Sequence, residues 1–168
     1  MAKDQSVIFL VDDDELYLLR LKDHLEDKLP FKVKIYIYTS GEECLKNLNL
    51  EPDIIVIDYY FTPVDGGSEK KLMNGIELIS QLKKSAPDVH LIMLTCETDV
   101  EVANMAISEG AKDYIVKYEY APMQLQYLIN NVILHRTYNE KVNYWKWGAI
   151  AIGVLFIMML IYLLSGAR

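Results

Sequence analysis

The sequence predicts an α/β fold: a five-stranded parallel sheet with helices on both faces, followed by one C-terminal transmembrane helix. Three observations predict it. Short apolar runs alternate five times with helical patterns; polar, chemically useful residues stand at the carboxyl ends of four of those runs; and residues 147–167 carry no charge. Strands that alternate with helices imply right-handed crossovers, and hence parallel strands covered on both sides.

Each element follows from its local pattern. Ser6–Val11 is a short continuous apolar run, the mark of a strand buried on both faces. Leu16, Leu19, Leu21 and Leu25 give a helical stripe that ends before Pro30, with Asp14 as its cap. In "KVKIYIYTS", Val33, Ile35 and Ile37 alternate with Lys34, Tyr36 and Tyr38, a strand with two unlike faces. Ser40 caps a short helix reaching about Leu48, and Asp53–Ile57 is a further β-branched run. A polar stretch from Tyr59 to Asn74, broken by Pro63, Gly66 and Gly67, reads as an enlarged loop. Helix "GIELISQLKK", strand "HLIMLT", helix "DVEVANMAISEG", strand "AKDYIVK" and a last helix from about Pro122 complete the series. In that helix Leu125, Leu128, Ile129, Val132 and Ile133 have the spacing of a face packed on a sheet.

Charge is divided along the chain. Residues 1–120 hold 13 Lys+Arg against 23 Asp+Glu, whereas residues 121–168 hold four basic residues against Glu140 alone. The acidic head has no basic stripe to meet phosphates, which argues against nucleic-acid binding. Cys44 and Cys96 lack metal-site spacing and read as reduced apolar fillers; His24, His90 and His135 share no motif. The start "MAKDQSV" has no signal-peptide core, so the head is expected to stay in the cytoplasm.

In open parallel sheets, ligands bind outside the carboxyl ends of the strands. The first strand ends in Asp12, Asp13 and Asp14, the third in Asp58, the fourth in Thr95 and the fifth in Lys117. Asp12, Asp13 and Asp58 together form an all-oxygen, anionic set suited to Mg²⁺. With the cation bound, Asp58 can attack phosphorus as a nucleophile. Lys117 would pair with the phosphoryl oxygens, and the Thr95 hydroxyl would bond one of them.

The motifs "FLVDDDE", "IIVIDYYF", "IMLTCETD" and "GAKDYIVK", in that order, resemble the receiver domain of two-component response regulators. The resemblance implies a flavodoxin-like fold and phosphotransfer from a histidine kinase or phosphotransfer protein to Asp58. It places Asp12, Asp13, Asp58 and the Tyr60 backbone carbonyl on the Mg²⁺, and makes Thr95 and Tyr114 a switch pair. It implies no enzyme beyond phosphotransfer to its own Asp58 and autodephosphorylation. Two departures stand out. The glycine that usually follows the phosphoacceptor by about eight residues is delayed to Gly75, and Tyr118 replaces the proline after the lysine.

The tail carries a separate expectation. Gly148–Leu164 is almost wholly apolar, and about 20 helical residues cross a bilayer core. Tyr144, Trp145 and Trp147 stand at its entry, Tyr162 near its exit, with Arg136, Lys141 and Lys146 before it. The expected organisation is a receiver over 5–136 with the enlarged loop at 59–74, a juxtamembrane stalk at 137–147 and a transmembrane helix at 148–164. Ala149 and Gly153 have the small-residue spacing of a helix-pairing face, through which a homodimer would form. Function reads as a membrane-tethered, single-pass, phosphorylation-dependent switch contacting an unknown output protein. The alternative is a phosphotransfer sink or relay without conformational output.

Overall fold

Continuous β-branched runs become the inner strands of one parallel sheet. The computed structural model describes residues 5–61 and 73–165, without the side chains of 139–144, 156 and 160–165. Strands β1 (Ser6–Val11), β2 (Val33–Tyr38), β3 (Ile54–Ile57), β4 (His90–Thr95) and β5 (Asp113–Val116) pair in the order β2-β1-β3-β4-β5, all parallel. Helices α1 (Glu15–Lys28), α2 (Gly41–Lys46), α3 (Gly75–Ser85), α4 (Val100–Glu109) and α5 (Ala121–Ser165) connect or follow them.

Both faces of the sheet are packed, as a parallel sheet requires. Phe9 and Val11 of β1 join Ile55 and Ile57 of β3 in a core with Leu78, Ile79 and Leu82 of α3. Ile8, Leu10, Ile54, Val56, Ile92 and Leu94, the alternate positions of the inner strands, are also buried. Truncating one such Leu or Ile to Ala costs about 2–5 kcal/mol. The strand ends are tied by side chains as well. The buried Asp53 carboxylate accepts the Val7 N–H at 2.8 Å, while Asp53 N–H donates to the Val7 carbonyl at 2.8 Å. Asp53 therefore caps the sheet just ahead of β3 rather than beginning it.

One pattern differs from the sequence expectation, and a second completes it. Helix α1 buries Leu18, Leu21 and Leu25, leaving Leu16 69% and Leu19 41% exposed. A leucine-rich helix offers more than one apolar stripe, and the Asp14 cap, which accepts the Tyr17 N–H at 2.9 Å, fixes which one faces in. In β2 the face whose covering the alternation left open carries Tyr36 and Tyr38, which meet Phe9 edge-on with centroids 5.7 and 4.9 Å away.

The chain divides into two units, Lys3–Asn130 and Asn131–Arg168. The second holds most of α5. The transmembrane anchor expected over 148–164 is not supported: among the described residues no helix is long and apolar enough to cross a membrane. Positions 156 and 160–164 of the expected span fall outside the described side chains. The central part of the enlarged loop, 62–72, also lies outside the described residues.

Candidate functional site

The strand order reverses between β1 and β3, and that point is where open α/β sheets bind ligands. Asp12 and Asp58 each stand one residue beyond those two strands. Asp12 N–H donates to Tyr38 at 3.1 Å and Asp58 N–H to Val11 at 2.9 Å, so the ladder carries both into the crevice. Both carboxylates are buried, and Asp13 beside them is partly buried. One oxygen from each of Asp12, Asp13 and Asp58 lies within 4.8 Å of the other two.

Lys117 reaches this group from one residue past β5. Its Nζ lies 2.5 Å from Asp12 Oδ2 and 3.0 Å from Asp58 Oδ2. Its backbone N–H donates to Thr95 at 2.8 Å, which carries the ladder beyond the strand and fixes where the side chain starts. Tyr118, where the family has proline, donates its own N–H to the Val116 carbonyl at 2.8 Å. Proline has no such donor, so a three-residue turn holds the backbone here instead.

Burial pushes the Asp12 carboxyl above its ordinary range, with the Lys117 ammonium pulling against it. Burial also works against the ammonium of Lys117, but Asp12 and Asp58 outweigh it and its pKa is raised. Three carboxylates around one ammonium leave the crevice net negative, and their oxygen-only chemistry fits a hard divalent cation.

The remaining site residues converge on Glu97. Thr95, the last residue of β4, is fully buried, and its Oγ accepts the Glu97 N–H at 3.3 Å. Tyr114 of β5 donates its hydroxyl to the Glu97 carbonyl at 2.7 Å. Tyr60 donates its hydroxyl to Glu97 Oε2 at 3.2 Å, while Oε1 accepts the N–H groups of Thr98 and Asp99. Two tyrosines, one threonine and the loop before α4 thus meet at one residue that composition alone does not mark.

The late glycine is in place as well. Gly75 N–H donates to the Tyr59 carbonyl at 2.8 Å, closing the base of the insertion beside Asp58. Asn74 then caps α3 by accepting the Glu77 N–H at 2.9 Å, and Glu77 returns a bond to the Asn74 N–H at 3.1 Å. The Gly75–Tyr59 bond and the Asn74 cap thus set the start of α3 beside the end of β3.

Of the lesser readings, Cys44 is buried as expected but Cys96, directly after Thr95, is exposed and is not a core filler. His90 pairs with Asp113 at 2.7 Å, at the opposite end of β4 from the carboxylates.

The family model for the response regulator receiver domain matches residues 8–130. The chain belongs to the receiver-domain family. Response regulator SaeR of Staphylococcus aureus is 31% identical over 100 residues, covering 60% of this chain and 40% of that protein. "Probable C4-dicarboxylate response regulator DctR" of Bacillus subtilis is 24% identical over 143 residues, covering 84% of this chain and 57% of that protein. The chain thus matches only about half the length of these relatives. Among solved structures, the BeF3-activated receiver domain of DrrB from Thermotoga maritima superposes with a TM-score of 0.60 at 24% identity, covering 77% of this chain and 97% of that one. A CheY-like receiver from Methanospirillum hungatei gives 0.63 at 23% identity, covering 79% and 98%. These likenesses bear on the fold, which is flavodoxin-like. Receivers take part in two-component signalling, are phosphorylated on aspartate, bind Mg²⁺ at an acidic pocket and interact with histidine kinases or phosphotransfer proteins. As a class they are not conventional enzymes.

Proposed function

We propose that this receiver is phosphorylated on Asp58 by a histidine kinase or phosphotransfer protein and acts as a phosphorylation-dependent protein-contact switch. The observation that carries the reading is the convergence of Asp12, Asp13, Asp58 and Lys117 at the switch point of the sheet. Asp12, Asp13 and Asp58, with the Tyr60 carbonyl, would hold Mg²⁺. When bound, the cation supplies charge neutralisation for the incoming phosphoryl oxygens.

The chain's own groups do the rest. Tyr59 N–H holds Asp58 Oδ1 at 2.7 Å and Lys117 holds Oδ2 at 3.0 Å, which fixes the carboxylate plane. Attack by an Asp58 oxygen on phosphorus forms the acyl phosphate and expels the donor's leaving group. Lys117 then transfers its pairing to a phosphoryl oxygen, and the buried Thr95 hydroxyl bonds another. Thr95 already accepts from Glu97, whose carbonyl accepts from Tyr114. A pull on Thr95 therefore reaches the loop before α4 and the ring on β5, which favours a switch over a passive sink. Acetyl phosphate with Mg²⁺ should label the protein at Asp58, and EDTA should prevent it. A pull-down with beryllofluoride-loaded against unloaded protein separates the two outputs: equal capture by both states would leave the sink.

Loss of the phosphoryl group should be slow. Tyr60 stands two residues past Asp58, bulky enough to crowd the approach of an in-line water, and its hydroxyl is bonded to Glu97 at 3.2 Å. Tyr60→Asn removes both the bulk and the bond, so decay of labelled protein should be several-fold faster. Unchanged or slower decay would show that Tyr60 does not shield the phosphoryl group.

The tail is proposed as a membrane tether. Trp145, Trp147, Ile152 and Leu155 are each at least 66% exposed, an apolar surface that water does not favour. The uncharged sequence 147–167 and the basic residues Arg136, Lys141 and Lys146 before it support insertion with the head on the cytoplasmic side. The stalk is proposed as helix at 137–147, within α5, and a homodimer would pair through Ala149 and Gly153. The full chain should sediment with phospholipid vesicles, and a truncation after Asn139 should stay in the supernatant yet still accept phosphate. Hydrogen exchange at residues 136–146 on the vesicles reports the stalk: protection supports helix, random-coil rates reject it.

A further inference from the structure

The side-chain amine at the centre of the site has a neighbour that the phosphotransfer chemistry does not use. Lys117 Nζ lies 5.0 Å from the centroid of the Tyr17 ring, within the range at which an ammonium is attracted to an aromatic face. Tyr17 sits in the first turn of α1, three residues past the Asp14 cap, and its N–H is the donor that this cap accepts. The ring is thereby set by the same turn that carries Asp12 and Asp13. Tyr17 also lines, with Asp12, Asp58 and Leu21, a cavity of about 10 Å³ beneath the carboxylates.

The tyrosine hydroxyl does not explain the residue's place. It is buried and has no hydrogen-bond partner among the described residues, whereas buried phenols usually find one. What Tyr17 offers the site is its ring. Burial raises the pKa of this hydroxyl, so the group facing Lys117 is the neutral phenol with its intact quadrupole.

Lys117 needs such a support. An unbranched ammonium is a flexible point charge, unlike the rigid fork of arginine. Its two carboxylate partners draw it towards Asp12 and Asp58, but one of them must release it when a phosphoryl group arrives on Asp58. Asp12 remains a partner throughout, and the Tyr17 ring face adds an uncharged contact on the same ammonium that does not change during the transfer.

We propose that Tyr17 is a positioning residue for phosphotransfer, its ring holding the Lys117 ammonium in reach of the phosphoryl oxygens while Asp58 changes from carboxylate to acyl phosphate. The proposal rests on the receiver reading of Asp58 and Lys117 above.

The test measures initial rates of acetyl phosphate labelling of the whole chain with Mg²⁺ for wild type, Y17F and Y17L. Y17F keeps the ring and removes only the unpartnered hydroxyl, so it should label at the wild-type rate. Y17L keeps apolar bulk but no π face and should label roughly tenfold more slowly, as expected for loss of a partly desolvated cation–π contact. A packing defect in Y17L is separated by repeating the substitution in a K117M background. A positioning role acts through the amine, so Y17L/K117M should label no more slowly than K117M. A further tenfold loss there would overturn the proposal, as would a Y17L rate equal to wild type or a Y17F rate as low as Y17L. Failure of the wild type itself to label would instead count against the receiver reading.

Discussion

Asp58→Asn abolishes labelling by acetyl phosphate or by a cognate kinase, and Asp13→Ala reduces it severely. The first change is nearly isosteric. An Asn oxygen can keep the Tyr59 N–H bond that holds Asp58 Oδ1 at 2.7 Å, and Lys117 keeps Asp12 at 2.5 Å. What is lost is the anionic oxygen that attacks phosphorus, and an amide cannot replace it. The variant gives up the 3.0 Å Lys117 contact but also removes one of three clustered carboxylates, so it should stay folded, as checked by its melting curve, and its silence would be chemical. Asp13→Ala acts differently. Asp12 and Asp58 each hold Lys117 directly, and removing Asp13 subtracts a ligand oxygen from the acidic set while leaving those two contacts in place. Labelling should fall and be partly restored by raised Mg²⁺ concentration. The measurement is time-resolved phosphate incorporation with peptide mapping. Stoichiometric label persisting in Asp58→Asn would remove Asp58 as the acceptor.

The strand ends were legible because a doubly buried parallel strand leaves little choice of sequence. β1, β3 and β4 are unbroken apolar runs, so the first polar residue after each marks the crevice. That logic located Asp12, Asp58 and Thr95, and the short β5 located Lys117 with equal economy. Helix faces were less legible. Leu16, Leu18, Leu19 and Leu21 allow two stripes, and only the Asp14 cap decides that Leu18 goes in while Leu16 stays out. Loop chemistry was least legible. Tyr60 and Glu97 stand 37 positions apart, and no periodicity couples two residues that meet only because β3 and β4 are neighbours. Tyr17 escaped for a similar reason: its ring reads as one more apolar position of α1 until Lys117, 100 residues on, is folded over it. The edge strand shows the same limit. Alternation in β2 marked two unlike faces without showing what covers them; Tyr38 is buried and Tyr36 partly buried, both against Phe9 on β1.

Gly75→Ala should be among the most damaging single substitutions outside the carboxylates, because the insertion makes this glycine the pin that restores the receiver frame. A Cβ built at Gly75 would lie 2.1 Å from the Asp58 carbonyl oxygen and 2.9 Å from Tyr59 Cα. Both neighbours are backbone, so no side-chain rotamer can relieve the overlap. Either α3 must retreat from the sheet, stretching the 2.8 Å bond from Gly75 N–H to Tyr59, or β3 must yield and carry Asp58 with it. Overpacking of this kind costs about 1–3 kcal/mol, and a contact with rigid backbone belongs at the upper end. At about 2–4 °C per kcal/mol for a domain of this size, the thermal midpoint should drop by roughly 6–12 °C. Labelling at a temperature where the variant is still folded should also fall, since the displaced atom belongs to Asp58, the proposed phosphoacceptor. Gly148→Ala is the matched control. Nothing lies within 4 Å of a Cβ at that position, and it stands inside α5, where alanine is favoured over glycine by up to about 1 kcal/mol. It should leave both midpoint and labelling unchanged or slightly improved. If Gly75→Ala melts and labels like wild type, the backbone around Asp58 is not held by this contact, and the insertion must be anchored by other means.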